Sequence, residues 1–461
     1  MKTIFSSRRQ HYLARASIFL IMVALITGMV GCGGASFAGG SGTAEDPYQI
    51  ANWHHLHNVR DYLSACFILI NDLDSSTAGY QALAGSIANE GKGWQPIGTY
   101  DNPFTGSFDG QGYEIRDLFI DRPVEVFVGL FGVVYEGGVI QDISVVNITV
   151  TGYDEVGGLV GGNAGTINTC YSTGSVTGNN LTGGLVGGNA GTINTCYSTG
   201  SMTGNTYTGG MVGGSRNGTI SDSYATGNVT GSKWIGGLVG SMNETTMVSN
   251  SYATGSVTGD YYAGGLVGAS ANCTVSNCYA TGTVTGSINV GGLMGVMIET
   301  TVVSNSYATG SVNGDLSVGG LVGAFGDGTV SNCYATGTVT GANEVGGLVG
   351  YNYEGGTVSN SYSTGNVTGE YNVGGLVGVN SGTMSNSFWD TETSGQASSD
   401  GGTGKNTTEM QDIDTFSDTE TEGLDEPWDI TTVGDPGERD PGHIWNIVDD
   451  VTYPLLSWQP V

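Results

Sequence analysis

Apolar positions recur along this chain on two scales. On the longer one, a Gly-Gly-Leu-Val-Gly cluster returns ten times. Its second Gly falls at Gly129, Gly158, Gly184, Gly210, Gly237, Gly265, Gly292, Gly320, Gly347 and Gly375, at intervals of 26 to 29 residues. A unit this short cannot enclose a core of its own, so each copy must bury its apolar face against its neighbours. On the shorter scale, the run Cys278 to Gly286 alternates. Cys278, Ala280, Gly282 and Val284 share one parity, and Tyr279, Thr281, Thr283 and Thr285 share the other. Period two marks a strand with one buried face, here with small and apolar residues inward and Tyr and Thr outward. No copy carries a helical stripe of useful length. The pattern therefore predicts an all-β chain, a single-stranded parallel β-helix of about ten coils, one lap per repeat and about 4.8 Å per lap. The general rule for parallel crossovers predicts a right-handed coil. Inside the cluster, Leu and Val are adjacent and break the alternation. This reads as a strand meeting a bend, where Gly permits close backbone approach and positive φ.

The flanks divide the rest. In residues 1–31, Lys2, Arg8, Arg9 and Arg15 precede an apolar run from Ile18 to Val30, the layout of a signal peptide. Met29-Val30-Gly31-Cys32 resembles a lipobox, which makes Cys32 the expected lipid-attachment site. Residues 32–43 read as a flexible tether, and 44–128 as an N-terminal cap with the first coils. There Asn52 can cap a short helix with Leu56, Val59 and Leu63 on one stripe. Residues 129–388 are the repeat array, and 389–461 an acidic segment and cap. Asp412 to Glu426 reads as mobile, and the runs around Trp445 and from Tyr453 to Trp458 as a lid over the last coil.

Charge narrows the partners. With 12 Lys+Arg against 42 Asp+Glu, the net charge of −30 repels phosphate backbones and anionic headgroups. Nucleic acid is excluded as a partner, and membrane contact is expected only through the lipid anchor. Gly makes up 82 of 461 residues without a G-X-Y period, which excludes collagen.

One loop position holds the sharpest binding candidate. Three successive coils place Tyr207, Trp234 and Tyr262 there, with Tyr261 adjacent, and a row of rings on an exposed ridge suits stacking on sugars. The alternative is that these rings fold back over the sheet as local apolar cover. A second ladder, Tyr171, Tyr197, Tyr224, Tyr252, Tyr279, Tyr307, Tyr334 and Tyr362, continued by Phe388, is outward by parity. It reads as cross-coil stacking or as a flat adhesive face. Cys170 and Cys196 share a position in adjacent laps, within disulfide range, although Ser replaces Cys elsewhere in that column. No metal-ligand spacing is present and no cofactor is expected. Asp412 with Asp414, or Asp390 with Glu392, could hold Ca²⁺ only loosely. Polysaccharide lyase or hydrolase chemistry needs clustered carboxylates with a cation. Between Gly129 and Phe388 the cations are Arg216 and Lys233, at different places in the coil, and the acidic residues drift. No catalytic residue is assigned.

The Gly-Leu-Val-Gly cores, with Met211, Met294 and Phe131 as variants, resemble the GLUG-motif family. So do the entry segment Gly42 to Ile50 and the exit segment Phe388 to Gly395. The resemblance implies a bacterial or archaeal surface protein similar to filamentous-haemagglutinin-like adhesins. The expected function is a non-enzymatic, exported, lipid-anchored or secreted rod. Its partner would be a glycan or a surface protein of a host or neighbouring cell. A structural envelope or matrix component is the alternative, and a polysaccharide-active enzyme the third.

Overall fold

One lap of chain, from Val239 to Gly264, holds the plan of the whole array. Strand Val239–Asn243 is followed by Met247–Ser249, by the short pair Tyr252–Ala253 and Val257–Thr258, and by Tyr261–Gly264. Each segment pairs in parallel with its equivalent one repeat away. Val239 lies between Val212 and Val267, and Tyr252 between Tyr224 and Tyr279. Repetition of this lap gives an all-β parallel solenoid of about ten turns with two ten-stranded ladders and one of thirteen. The expected alternation holds: Cys278, Ala280, Gly282 and Val284 are buried, and Thr281, Thr283 and Thr285 are exposed. The computed structural model describes residues 36–460. The signal segment 1–31 and Cys32 lie outside the described residues.

Glycine in the motif acts through space rather than through φ. A Cβ on Gly237 would lie 2.0 Å from the carbonyl oxygen of Gly265, and one on Gly240 would lie 2.6 Å from the carbonyl carbon of Tyr207. The motif glycines therefore let one lap touch the next backbone to backbone. The expected positive φ is corrected: it falls on non-glycine residues just before the motif, Tyr207 at +54°, Trp234 at +60° and Tyr262 at +59°.

The thirteen-stranded ladder begins with Tyr48–Ile50, Cys66–Leu69 and Ser107–Asp109, so the segment before the first motif is already part of the solenoid. Its open end is covered by helix Trp53–Asn58. The Asn52 side chain caps this helix by accepting from the His55 N–H at 3.0 Å, and Trp53, Leu56 and Val59 are fully buried. The tether is corrected from Phe37 onward. That ring is buried, stacks on Tyr48 at 4.2 Å, and is held by Ala38 N–H to Gln49 O and Gln49 N–H to Gly39 O. Phe37 and these backbone bonds together dock the segment.

The C-terminal segment also departs from expectation. The last lap is closed by Trp389, whose indole sits against Gly375 and donates to Gln396 O at 3.1 Å. The Trp445 and Tyr453–Trp458 runs do not cover that end. They lie along the side of the solenoid, where Met410, Phe416, Leu424, Trp428, Trp445, Ile447 and Leu456 form a second apolar cluster with Tyr307, Tyr334, Tyr362 and Phe388. The acidic stretch from Asp412 to Glu426 is ordered by these anchors, with helices Thr407–Met410 and Asp414–Ser417 carrying Met410 and Phe416 inward. Its carboxylates face water while its few apolar residues are buried.

Candidate binding faces

The ridge is a stack. The Tyr207 and Trp234 rings lie 4.5 Å apart at 3°, and Trp234 and Tyr262 lie 5.8 Å apart at 16°. Rings this close and this parallel occupy one another's faces, so solvent meets edges, hydroxyls and the outer face at each end of the stack. Tyr261 stands beside it, 38% exposed, with the Lys233 ammonium 5.1 Å from its ring centre. All three stacked residues hold a left-handed backbone, a costly conformation for a bulky side chain. The same column continues backward through Leu181 and Glu155, which lie over Gly214 and over Gly162 and Gly188 respectively. Burial, with Asp154 beside it, pushes the Glu155 carboxyl up to about 8. Further along, Ser241, Ala269, Val296 and Ala324 stand outside the cluster filling the bore yet are buried. The inner side of the column thus serves as cover, and its outer edge remains available.

The tyrosine ladder is more regular. From Tyr171 to Tyr362 the ring centres are 4.5 to 5.1 Å apart and the planes agree within 7°. It splits in two. Tyr171, Tyr197, Tyr224 and Tyr252 are half-buried, whereas Tyr307, Tyr334 and Tyr362 are buried under the C-terminal segment. The expectation that the whole ladder faces outward is corrected for that second half, since no local pattern announces what a distant segment will cover. Burial pushes the Tyr334 and Tyr362 phenols well above their ordinary range.

Comparison with known proteins places the repeat. The GLUG motif profile matches residues 259–285, 314–340 and 341–368. The chain is similar to the GLUG motif over these three repeats. A relative named "Putative Gly-rich membrane protein" in Evansella cellulosilytica is 42% identical over 137 residues, 29% of this chain and 15% of that one. Halomucin of Haloquadratum walsbyi is 36% identical over 143 residues, 30% of this chain and 2% of that one. The chain thus spans a small part of the length of the curated relatives it matches. A solved structure of a "putative immunoglobulin A1 protease" from Bacteroides ovatus aligns over 92% of this chain and 96% of its own, at 18% identity and a TM-score of 0.36.

The remaining candidates have structural partners. Cys170 and Cys196 face each other in the bore as free thiols. The Cys170 N–H points to Cys196 Sγ at 3.4 Å, and the two thiols donate to Asn168 O and Asn194 O. Asp390 is buried and spends both carboxylate oxygens: Oδ1 caps the Glu392 and Thr393 N–H groups, and Oδ2 accepts from Thr407 Oγ1 and Tyr453 Oη. Burial opposes its ionisation, but these four bonds outweigh it and hold the carboxyl below its ordinary value. Both oxygens of Asp390, one of the residues that could hold Ca²⁺ loosely, are thus engaged within the chain. Asp412 Oδ1 accepts from the Asp414 N–H at 2.9 Å. Among the described residues no three His, Cys, Asp or Glu side chains gather as a metal site, and no helix is long and apolar enough to cross a membrane. The sequence reading missed a second left-handed column, two residues before each ladder ring, running from Asp142 through Thr169, Thr195 and Asp222 to Asn386. Its later members are all Asn, the commonest non-glycine tenant of that conformation, and that was the signal.

Proposed function

We propose that this chain is a cell-surface rod that binds or displays rather than catalyses, with glycan as the leading ligand. The observation that supports this reading is the repetition of one side chain at one lap spacing along an outer face, most regularly in the open half of the tyrosine ladder, Tyr171 to Tyr252, at 4.5 to 4.8 Å. A repeating polymer laid along such a face meets the same contact many times, and weak contacts linked in this way sum to useful avidity. The ridge of Tyr207, Trp234 and Tyr262, with Tyr261 beside it, offers ring edges, hydroxyls and end faces suited to sugar C–H and O–H groups. Export, with Cys32 as lipid anchor, completes the proposal.

A glycan and matrix-protein binding screen on residues 33–461 tests it. Saturable binding to a polysaccharide is expected, with loss of signal when Tyr207, Trp234 and Tyr262 are all changed to Ala. Unchanged signal rejects the ridge. Failure to bind any immobilised polymer leaves the structural envelope role, and release of reducing or unsaturated ends would overturn the non-catalytic reading.

A further inference from the structure

The chain covers half of its own tyrosine ladder, and the manner of covering is informative. Tyr362 donates to the backbone carbonyl of Pro454 and Tyr334 to the side-chain carbonyl of Gln459, both at 2.6 Å. Trp458 packs against Tyr307 and Tyr279. At the column two residues before the rings, Asn386 accepts the Trp428 indole N–H on its backbone oxygen and the Asp425 N–H on its side chain. What this face takes is therefore non-repeating polypeptide bearing Pro and aromatic residues. Its carbonyls receive phenol hydroxyls, and its rings pack against the ring stack.

Beyond Tyr252 toward the N-terminus the same face continues without that cover. Here the ladder rings and the left-handed column bound a groove of about 410 Å³, lined by Tyr171, Tyr197, Tyr224, Thr195, Asp142 and Asp222 among others. At its N-terminal end the column differs in a way that changes the chemistry: Asp142, Thr169, Thr195 and Asp222 stand where every later lap, from Asn250 to Asn386, has Asn, and two of the four are carboxylates. Asp222 is exposed, and the groove belongs to a chain of net charge −30. A ligand here meets the ring surface that the cap meets, together with two negative charges.

We propose that the open half of the tyrosine ladder, from Tyr171 to Tyr252, docks an extended polypeptide segment of a partner protein that carries Pro, an aromatic residue and a Lys or Arg. The segment lies on the ladder as residues 453–459 lie on Tyr307 to Tyr362, with its cation at the exposed Asp222. The site is distinct from the ridge, and it assigns the open half of the ladder to polypeptide, leaving the ridge of Tyr207, Trp234 and Tyr262 to glycan.

The probe is a fluorescent peptide with the sequence of residues 451–460, made in two forms, one native and one with Lys in place of Ser457. Anisotropy with residues 33–461 is expected to show saturable binding of both, with the Lys form tighter by about five-fold or more. Tyr197→Ala with Tyr224→Ala should weaken both by about ten-fold or more. Asp142→Asn with Asp222→Asn should remove only the advantage of Lys. Because Ala in a stacked ladder could loosen the lap, Tyr197→Phe with Tyr224→Phe gives a second reading, with the rings kept and the donors gone, and should weaken binding by a few-fold. The Tyr207, Trp234 and Tyr262 to Ala variant should bind the peptides unchanged. The proposal is overturned if neither peptide binds. It is equally overturned if binding survives in the Tyr197/Tyr224 variants but disappears with Tyr334→Ala, which would mean displacement of the cap. An oligosaccharide held through Tyr197 and Tyr224 while the peptides are ignored would also overturn it.

Discussion

The Tyr362 hydroxyl donates a 2.6 Å hydrogen bond to the carbonyl of Pro454, 92 residues further along the chain. It ties the seventh ring pair of a repeated outer ladder to a segment outside the repeat, and both partners are buried. Tyr362→Phe should loosen the C-terminal cover by about 1 kcal/mol, since it leaves that carbonyl without its donor. Tyr362→Ala also removes a buried ring stacked on Tyr334 and should cost about 3 kcal/mol or more. Hydrogen exchange across residues 405–459 reads both. Protection that falls equally along residues 160–300 would mean the cover is not a separate element.

A second prediction concerns the inward glycine of each alternating strand. A Cβ on Gly282 would lie 2.0 Å from the Gly255 carbonyl oxygen, and that contact recurs through Gly310 and Gly337. Gly282→Ala should lower stability by about 3 kcal/mol or more, because two backbones must separate inside a stack that repeats on both sides. Gly112→Ala is the contrast: φ is +79° and nothing lies within 4 Å, so the cost is backbone strain alone, about 1 kcal/mol. Thermal melts of the two variants should differ clearly. Equal melting temperatures would contradict the contact.

Glu155 predicts a pH effect. Its carboxyl rises from the usual 4.5 to about 8 in the folded chain, through burial first and Asp154 second. A raised value means the folded state holds the proton more tightly. The contribution to stability is therefore full below about pH 4.5 and is lost as pH climbs through about 8. Glu155→Gln, which cannot ionise, should match the parent in denaturant titrations at pH 4 and exceed it by about 2 kcal/mol at pH 9, the partly open site reducing the full shift. A difference that does not grow with pH would place the charged carboxylate in water.

Burial also controls the thiols. It pushes Cys278 and Cys333 up to about 12, with their own laps' carbonyls accepting from the sulfur. At pH 8 a disulfide exchange reagent should modify half-buried Cys66 and leave these two untouched until denaturant is added. Six thiols titrating in denaturant, Cys32 aside, is the expected count for the chain in which Cys170 and Cys196 are unbridged. A count of four would indicate that this pair is oxidised.

Sequence alone determined the lap. Period-two alternation names the buried face of each strand, and a repeat of 26 to 29 residues must stack on its own copy. The ladders of Tyr and Thr, and the row Tyr207, Trp234 and Tyr262, were therefore legible before any coordinates. Tertiary structure decided what those ladders do. Whether rings present faces or edges depends on φ at Tyr207, Trp234 and Tyr262, whose backbones lie against Gly240, Gly268 and Gly295 of the next lap. Whether Tyr362 meets water or Pro454 depends on where a non-repeating tail of few apolar residues finds its surface. Self-similar contacts are written into every copy of the repeat, whereas a contact made once, across 92 residues, leaves no period to read.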